Sequence, residues 1–395
     1  MFQRTSDSRH YPFELPSGWV WTTLGELFTL QAGKNISAKE ISIVQNKQNN
    51  YPCFGGNGIR GYVTSFNISG SHPIIGRQGA LCGNINLATN EFYATEHAVV
   101  VDFYCETDLM WCYYTLKALN LNQYATATAQ SGLAVKVINE AFIPLPPYKE
   151  QRKISNAISH WFSLIDDVNS SKVQLKNAIS QVKSKILNLA ILGKLVPQDP
   201  ADEPASELLK RVNPSAEITC DNEQYWNMPN GWCVCRIKDL FKICMGQSPA
   251  GTSLNQIEGM EFHQGKICFT DKFLDKSKIL TNRPTKIADA NSLLICVRAP
   301  VGVLNINTRQ ICIGRGLCAL LPSKCVDLGF AFHCLTTYQQ RFEQKSTGST
   351  FKAISGDIIK NELFPLPPLA EQQRIVAKIE ELFAQLDAIE NSLQA

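Results

Sequence analysis

Ile143-Pro144-Leu145-Pro146-Pro147-Tyr148-Lys149-Glu150-Gln151 opens a stretch without Pro or Gly that runs to Gly193. Phe364-Pro365-Leu366-Pro367-Pro368-Leu369-Ala370-Glu371-Gln372 opens a second, which runs to Ala395. One wording at two distant places marks a long-period repeat. Proline lacks the amide hydrogen that a first helical turn leaves unused, so each Pro-Pro pair favours a helix start.

The two stretches keep one apolar register. In the first, Ile154, Trp161, Val168, Leu175, Val182 and Leu189 form one row. Ile158, Ile165, Ile179 and Ile186 form the other, with Lys172 interrupting. In the second, Ile375, Leu382 and Ile389 stand beside Ile379, Leu386 and Leu393. A narrow stripe at this spacing predicts two long antiparallel coiled-coil helices. Ile154, Ile158, Trp161, Ile165 and Ile179 are expected to pair with Ile375, Ile379, Leu382 and Leu386.

Charge agrees with that pairing. Tyr148 to Lys194 holds eight basic residues against three acidic, whereas Leu369 to Ala395 holds two against five. Exposed ion pairs contribute only about 0.2–1 kcal/mol each, so the asymmetry selects a partner more than it stabilises. At about 1.5 Å per residue the first helix is on the order of 65 Å long, near two turns of duplex DNA. The second reaches Ala395 without a cap, so a shortened second helix is expected.

Ahead of each helix stands a matching frame. Leu15-Pro16-Ser17-Gly18-Trp19 is followed by Leu24 and Leu27, and Met228-Pro229-Asn230-Gly231-Trp232 by Ile237 and Leu240 at the same spacing. A Pro-x-Gly turn before an apolar strand anchors a domain edge through one buried aromatic, the role expected of Trp19 and Trp232. Between the frame ends the halves diverge, apart from Asn84-Ile85-Asn86 beside Asn305-Ile306-Asn307, with Arg77 and Arg298 ahead of them. The expected organisation is a first domain over 1–147, a helix over 148–194, a linker over 195–227, a second domain over 228–368 and a second helix over 369–395. The linker carries Pro197, Pro200, Pro204 and Pro214, with a short helix expected near Ser206 to Val212. The fold class is α/β with mixed α+β character: two globular domains related by an approximate two-fold and separated by the helices.

With 395 residues, 44% of them hydrophobic and 18% charged, the chain can bury more than one core, and disorder is excluded as its general state. A net charge of +3 permits a nucleic-acid partner without requiring one. Met1 to His10 is polar, without an apolar core or a small-residue cleavage site, and no apolar run approaches the roughly 18 residues of a membrane span. A cytoplasmic location without membrane contact is expected. The fourteen cysteines are scattered and the nearest pair, Cys233 and Cys235, lacks a partner at zinc-site spacing, so buried reduced thiols are expected. His10, His72, His97, His160, His263 and His333 stand singly, which predicts no metal site.

The ordered set of motifs resembles the specificity subunits of type I restriction-modification systems. The residues that carry the resemblance are the Leu-Pro-x-Gly-Trp segment at 15–19 with its twin at 228–232 and the Pro-Leu-Pro-Pro-x-x-Glu-Gln segments at 144–151 and 365–372. Gly193-Lys194-Leu195 leading to Asp202-Glu203-Pro204 completes the set. The resemblance spans essentially the whole chain. It implies two target-recognition domains, each reading one half of a split site in double-stranded DNA, with the helices acting as a ruler and as docking sites for two methyltransferase subunits. It also implies motor-endonuclease subunits that join this core. S-adenosylmethionine, ATP and Mg would be bound by those partners, leaving this subunit without cofactor or catalytic centre.

Leu145-Pro146-Pro147-Tyr148 comes nearest to an adenine-methyltransferase loop, but leucine stands where an acceptor for the exocyclic amine is required. No phosphate-binding Gly-x-x-x-x-Gly-Lys-Ser/Thr segment is present. DNA contacts are expected from basic and amide residues near glycines, where backbone can approach phosphate and arginine can reach guanine. The candidates are Lys34, Arg60, Arg77, Gln78 and Lys136 in the first domain and Lys266, Arg298, Arg315 and Lys352 in the second. Two other functional classes were weighed: a stand-alone modification methyltransferase and a coiled-coil scaffold binding proteins only.

Overall fold

The computed structural model describes residues 13–79, 81–125, 132–218, 228–348 and 352–393. The chain divides into two compact units, Met1–Asn169 and Ser170–Ala395. Each is built on the same frame. In the first, strand Val20–Thr23 pairs antiparallel with Phe142–Leu145, Val20 opposite Leu145. A helical turn, Leu24–Leu27, follows, and the Thr23 N–H donates to Glu26 Oε2 at 3.0 Å. In the second, Cys233–Arg236 pairs with Leu363–Leu366. The turn Ile237–Leu240 is fixed by the Arg236 N–H on Asp239 Oδ2 at 3.2 Å. A carboxylate three residues into a turn takes up an N–H that the first turn leaves over.

From this frame each unit continues into a four-stranded antiparallel sheet of one topology. The order is Phe28–Ala32, Ala98–Phe103, His72–Gly76 and Ile85–Ala88 in the first unit. In the second it is Phe241–Met245, Leu317–Pro322, Ser292–Cys296 and Leu304–Asn307. Side chains alternate across the sheet, so Ile75, Val99 and Val101 enter one apolar cluster while Ile74, Ala98 and Val100 enter another. Burial on both faces explains why these strands read as continuous apolar runs.

The second sheets differ. The first unit pairs four strands in the order Gly58–Val63, Tyr51–Gly55, Glu91–Ala94, Ile68–Ser69. The second unit pairs five: Leu254–Asn255, Leu280–Thr281, Met260–His263, Ile311–Ile313, Ile287–Ala288. Each keeps one parallel pair, Cys53 opposite Tyr93 and Phe262 opposite Cys312. The variable interiors thus hang on a fixed frame.

Helix Tyr148–Ile191 is continuous for 44 residues, and the C-terminal helix is Leu369–Ser392. The Glu-Gln motif joins each helix to its own domain. Gln151 Oε1 accepts the Asp108 N–H at 2.9 Å and its Nε2 donates to the Pro146 carbonyl at 3.0 Å. Gln372 repeats this with Asp327 at 2.7 Å and Pro367 at 2.9 Å, and adds the Cys325 carbonyl at 3.0 Å. Asp108 and Asp327 cap the helices Leu109–Ala118 and Leu328–Thr336, accepting from Trp111 N–H and Phe330 N–H. One glutamine therefore ties the start of a long helix to the start of a domain helix.

The helix rows are shared with the globular cores more than expected. Ile154 packs against the core of the first unit, and Ile375 and Ile379 are fully buried in that of the second. Leu382 and Leu386 pack against the same cluster, which also holds Ile186, Leu187 and Ala190. In the second unit Lys183 pairs with Asp387, and Gln198, beyond the end of the first helix, reaches Glu371, so the helices run antiparallel there. Ile158 is half-buried. Ile179 is buried, whereas Trp161 is 65% and Ile165 52% exposed.

Two expectations are corrected. The unit boundary falls inside the first long helix, whose C-terminal part packs with the second unit. The segment expected as a linker folds onto that unit as far as Ile218, the last residue described there: helix Ala205–Val212 buries Ala205 and Leu209 in its core, and Ala216 and Ile218 pack against it. Prolines there fix turns of a packed segment, where a loose connection had been expected. Trp232 is buried as expected, but Trp19 is only half-buried. No helix among the described residues is long and apolar enough to cross a membrane.

Candidate nucleic-acid interface

In both units a strand of the four-stranded sheet leads to an arginine at a glycine-lined cleft, Arg298 in the lining itself and Arg77 directly before the lining residues Gln78 and Gly79. Strand His72–Gly76 ends at Arg77, whose N–H donates to the His97 carbonyl at 3.0 Å and whose carbonyl accepts the Leu133 N–H at 2.8 Å. The cleft is formed by Gly55 to Arg60, Gln78, Gly79 and His97. Its floor needs glycine: a Cβ on Gly76 would stand 1.8 Å from the Gly56 carbonyl oxygen. Two backbones are in contact here, and side chains are pushed to the rim.

The second cleft is lined by Gln264, Gly265, Lys266, Cys296, Arg298, Ala299, Pro300 and Gly316. The Ala299 N–H donates to the Lys352 carbonyl at 3.2 Å, which brings Lys352 beside Arg298. Lys266 and Arg298 are exposed, so the cleft presents two cationic donors.

The first cleft carries polar atoms that the chain leaves unused. Arg77 Nε, Asn86 Nδ2, Glu96 Oε2 and His97 Nδ1 are buried without a hydrogen-bond partner among the described residues. His97 Nε2 lies 3.1 Å from Glu96 Oε1. A buried polar group left unpaired costs about 1–3 kcal/mol, and four such atoms stand close together at this cleft.

Of the sequence-derived candidates, Arg60 and Gln78 line the first cleft with Arg77 beside them, and Lys266 and Arg298 line the second with Lys352 adjoining. Lys34 sits elsewhere, in a depression with Gln31, Asn67, His72 and Asp102. Lys136 is exposed on the short helix Val135–Asn139, and Arg315 follows strand Ile311–Ile313 with its N–H 3.4 Å from Ser248 Oγ. Sequence reasoning missed Asn57, His97 and Gln264. The Gly55-Gly56-Asn57-Gly58 run was the available signal for the first of these.

Burial pushes the Cys53 and Cys296 thiols up to about 11 and the Cys318 and Cys334 thiols up to about 12, so they remain protonated and packed. Cys220 lies outside the described residues. Among the described residues no group of His, Cys, Asp and Glu has the arrangement of a metal site. Leu145-Pro146-Pro147-Tyr148 ends a frame strand and starts the long helix, with both proline carbonyls accepting from its first turn.

Comparison with known proteins places these features. The profile described as the type I restriction modification DNA specificity domain matches residues 16–179 and 229–395. The EcoprrI specificity subunit of a type I restriction enzyme from Escherichia coli is 40% identical over 170 residues, covering 43% of this chain and 42% of that protein. The putative type I restriction enzyme MjaX specificity subunit of Methanocaldococcus jannaschii is 31% identical over 278 residues, covering 69% of this chain and 60% of that protein. Both matches span less than two thirds of the relative's own length. The crystal structure of the HsdS subunit from Thermoanaerobacter tengcongensis shares the fold, with a TM-score of 0.61 and 21% identity over 96% of this chain and 93% of that one. The profile takes in both frames and most of both long helices, and the chain belongs to the family of type I restriction modification DNA specificity domains.

Proposed function

We propose that this chain is the DNA sequence-specificity subunit of a type I restriction-modification complex, each unit reading one half of a bipartite site in double-stranded DNA. The observation that carries the reading is the pair of clefts. One frame places Arg77 in the first unit next to a cleft lined by Arg60 and Gln78, and Arg298 in the second within a cleft lined also by Lys266, while the surrounding sheets and linings differ. A shared frame fixes how each unit meets the duplex, and different linings read different bases.

In this reading Lys34, Arg60, Arg77, Gln78 and Lys136 of the first unit and Lys266, Arg298, Arg315 and Lys352 of the second contact the DNA. The continuous helix Tyr148–Ile191 sets the spacing. The two helices dock a pair of methyltransferase subunits, to which motor-endonuclease subunits are added. Methyl transfer from S-adenosylmethionine and ATP-driven cleavage with Mg belong to those partners, and the complex works in the cytoplasm. This chain supplies recognition and no catalytic group.

The test is selection from a pool of random duplexes by the chain assembled with its methyltransferase. One bipartite motif with a fixed gap should be enriched, and binding should weaken steeply with salt as phosphate counterions are retained. Equal recovery of all sequences would contradict the proposal. Methyl transfer to DNA by the chain alone would favour the stand-alone enzyme instead.

A further inference from the structure

Each unit presents one isoleucine to solvent beside a cation of its cleft. Ile59 lies in the lining of the first cleft, next to Arg60, and is 56% exposed. Ile267 follows Lys266, which lines the second cleft, and is 95% exposed, more than any other large apolar residue among those described. The two loops are held alike. The first asparagine of the repeated Asn-Ile-Asn segment reaches each of them: Asn84 Nδ2 donates to Asn57 Oδ1 at 3.1 Å, and Asn305 Nδ2 donates to the Thr270 carbonyl at 2.7 Å.

In the second unit the turn that carries this isoleucine is built outward from a packed base. Lys266–Cys268 is a short 3-10 turn, closed by the Phe269 N–H on the Lys266 carbonyl at 2.9 Å. Cys268 and Phe269 pack against the core cluster that contains Leu274, and the Asp275 N–H donates to the Cys268 carbonyl at 2.9 Å. Charge surrounds the tip. Residues 264–287 hold six basic side chains against two acidic, with Lys266, Lys276 and Lys278 exposed, and Cys268 Sγ donates to the Lys276 carbonyl at 3.7 Å. An apolar tip among cations fits a surface that is anionic at its margins and carries a small apolar group between them. In duplex DNA that group is the thymine C5-methyl, which projects into the major groove between the two phosphate rows.

We propose that Ile267 reads a thymine in the half-site met by the second unit, its side chain against the C5-methyl while Lys266 and Lys276 hold flanking phosphates. The inference rests on the DNA-reading function proposed above and adds to it a base type and the residue that selects it. Contact with a methyl at the groove surface requires no unstacking of the duplex, so the small apolar gain is kept as discrimination. Ile267 determines specificity and takes no part in methyl transfer.

The probe is the duplex motif selected by the chain assembled with its methyltransferase, with each thymine replaced in turn by uracil, which lacks only the methyl. One replacement should lower affinity by about fourfold, the value of withdrawing one methyl group from an apolar contact. With Ile267→Ala the thymine and uracil duplexes should bind equally, and the melting temperature of the chain should not change because the position is exposed. Lys276→Ala should weaken both duplexes alike and reduce the salt slope by about one, keeping the uracil penalty. No penalty at any thymine, a penalty that survives Ile267→Ala, or a loss of methyltransferase assembly in Ile267→Ala with base discrimination intact would overturn the inference and leave the DNA-reading function standing. Selection of no motif at all would contradict that function, and the inference would fall with it.

Discussion

Val20 and Cys233 occupy the same rung of the same strand pair, opposite Leu145 and Leu366, yet one is largely in solvent and the other is sealed. The backbone frame is equal in both places. What differs is the segment laid over it: the end of the first long helix and the turns that follow cover Trp232, and no described residue does the same for Trp19. Local sequence therefore decides the frame, while burial and stability are decided by what the rest of the chain brings to it. A repeated motif is a repeated shape and need not be a repeated energy.

This contrast can be broken most directly at the tryptophans. Trp232→Ala removes a buried indole and its bond to Glu371, and should destabilise the second unit by about 3–5 kcal/mol. Trp19→Ala should cost the first unit only about 1–2 kcal/mol, because its indole is partly in water and its N–H is unpaired. Denaturant unfolding followed by hydrogen exchange separates the two units. Equal losses would show that the covering segment contributes nothing.

The two glutamines sharpen the comparison at a smaller scale. Gln372→Ala strands the Asp327 N–H and two carbonyls and should cost about 2–3 kcal/mol, whereas Gln151→Ala strands one N–H and one carbonyl and should cost about 1–2 kcal/mol. The measurement is the same unfolding experiment. A larger loss at Gln151 would reverse the account of how each helix is tied down.

Acid should act on the second unit first. The Arg309 guanidinium, 2.6 Å from Glu261, holds that carboxyl down to about 2 against an ordinary 4.5. The unfolded chain therefore binds a proton before the folded one does, and this stabilisation is present above about 4.5 and lost as pH falls toward 2. Burial holds His333 at about 4 against an ordinary 6.5, so the folded unit also loses ground as pH drops through that window. Glu261→Gln should flatten the lower part of the second unit's stability curve and leave the first unit's unchanged. An unaltered curve would place the acid sensitivity elsewhere.

Much of this architecture was legible in the sequence, and the parts that were not share a cause. The two Pro-Pro starts, the Pro-free and Gly-free helices and Gly193 at the first helix end are local signals, and the helices Tyr148–Ile191 and Leu369–Ser392 follow them closely. The role of Gln151 was invisible because its partner, Asp108, lies 43 residues away, and such a bond leaves no periodic trace. Ala205 and Leu209 read as linker because a short amphipathic turn among prolines says nothing about the surface it will meet. Within the clefts, Arg77 and Arg298 stood out by recurring, whereas His97 and Gln264 come from the divergent interiors, where there is no second copy to compare.

The central claim is that two units on one frame read two halves of one DNA site. Genome-wide mapping of methylated adenine in the host with the gene intact, deleted, or carrying Arg298→Ala tests it most directly. The account predicts that deletion removes methylation at one bipartite motif, and that Arg298→Ala relaxes a position in one half of that motif while the other half stays fixed. Methylation unchanged by deletion, or relaxed equally in both halves by the single substitution, would contradict it.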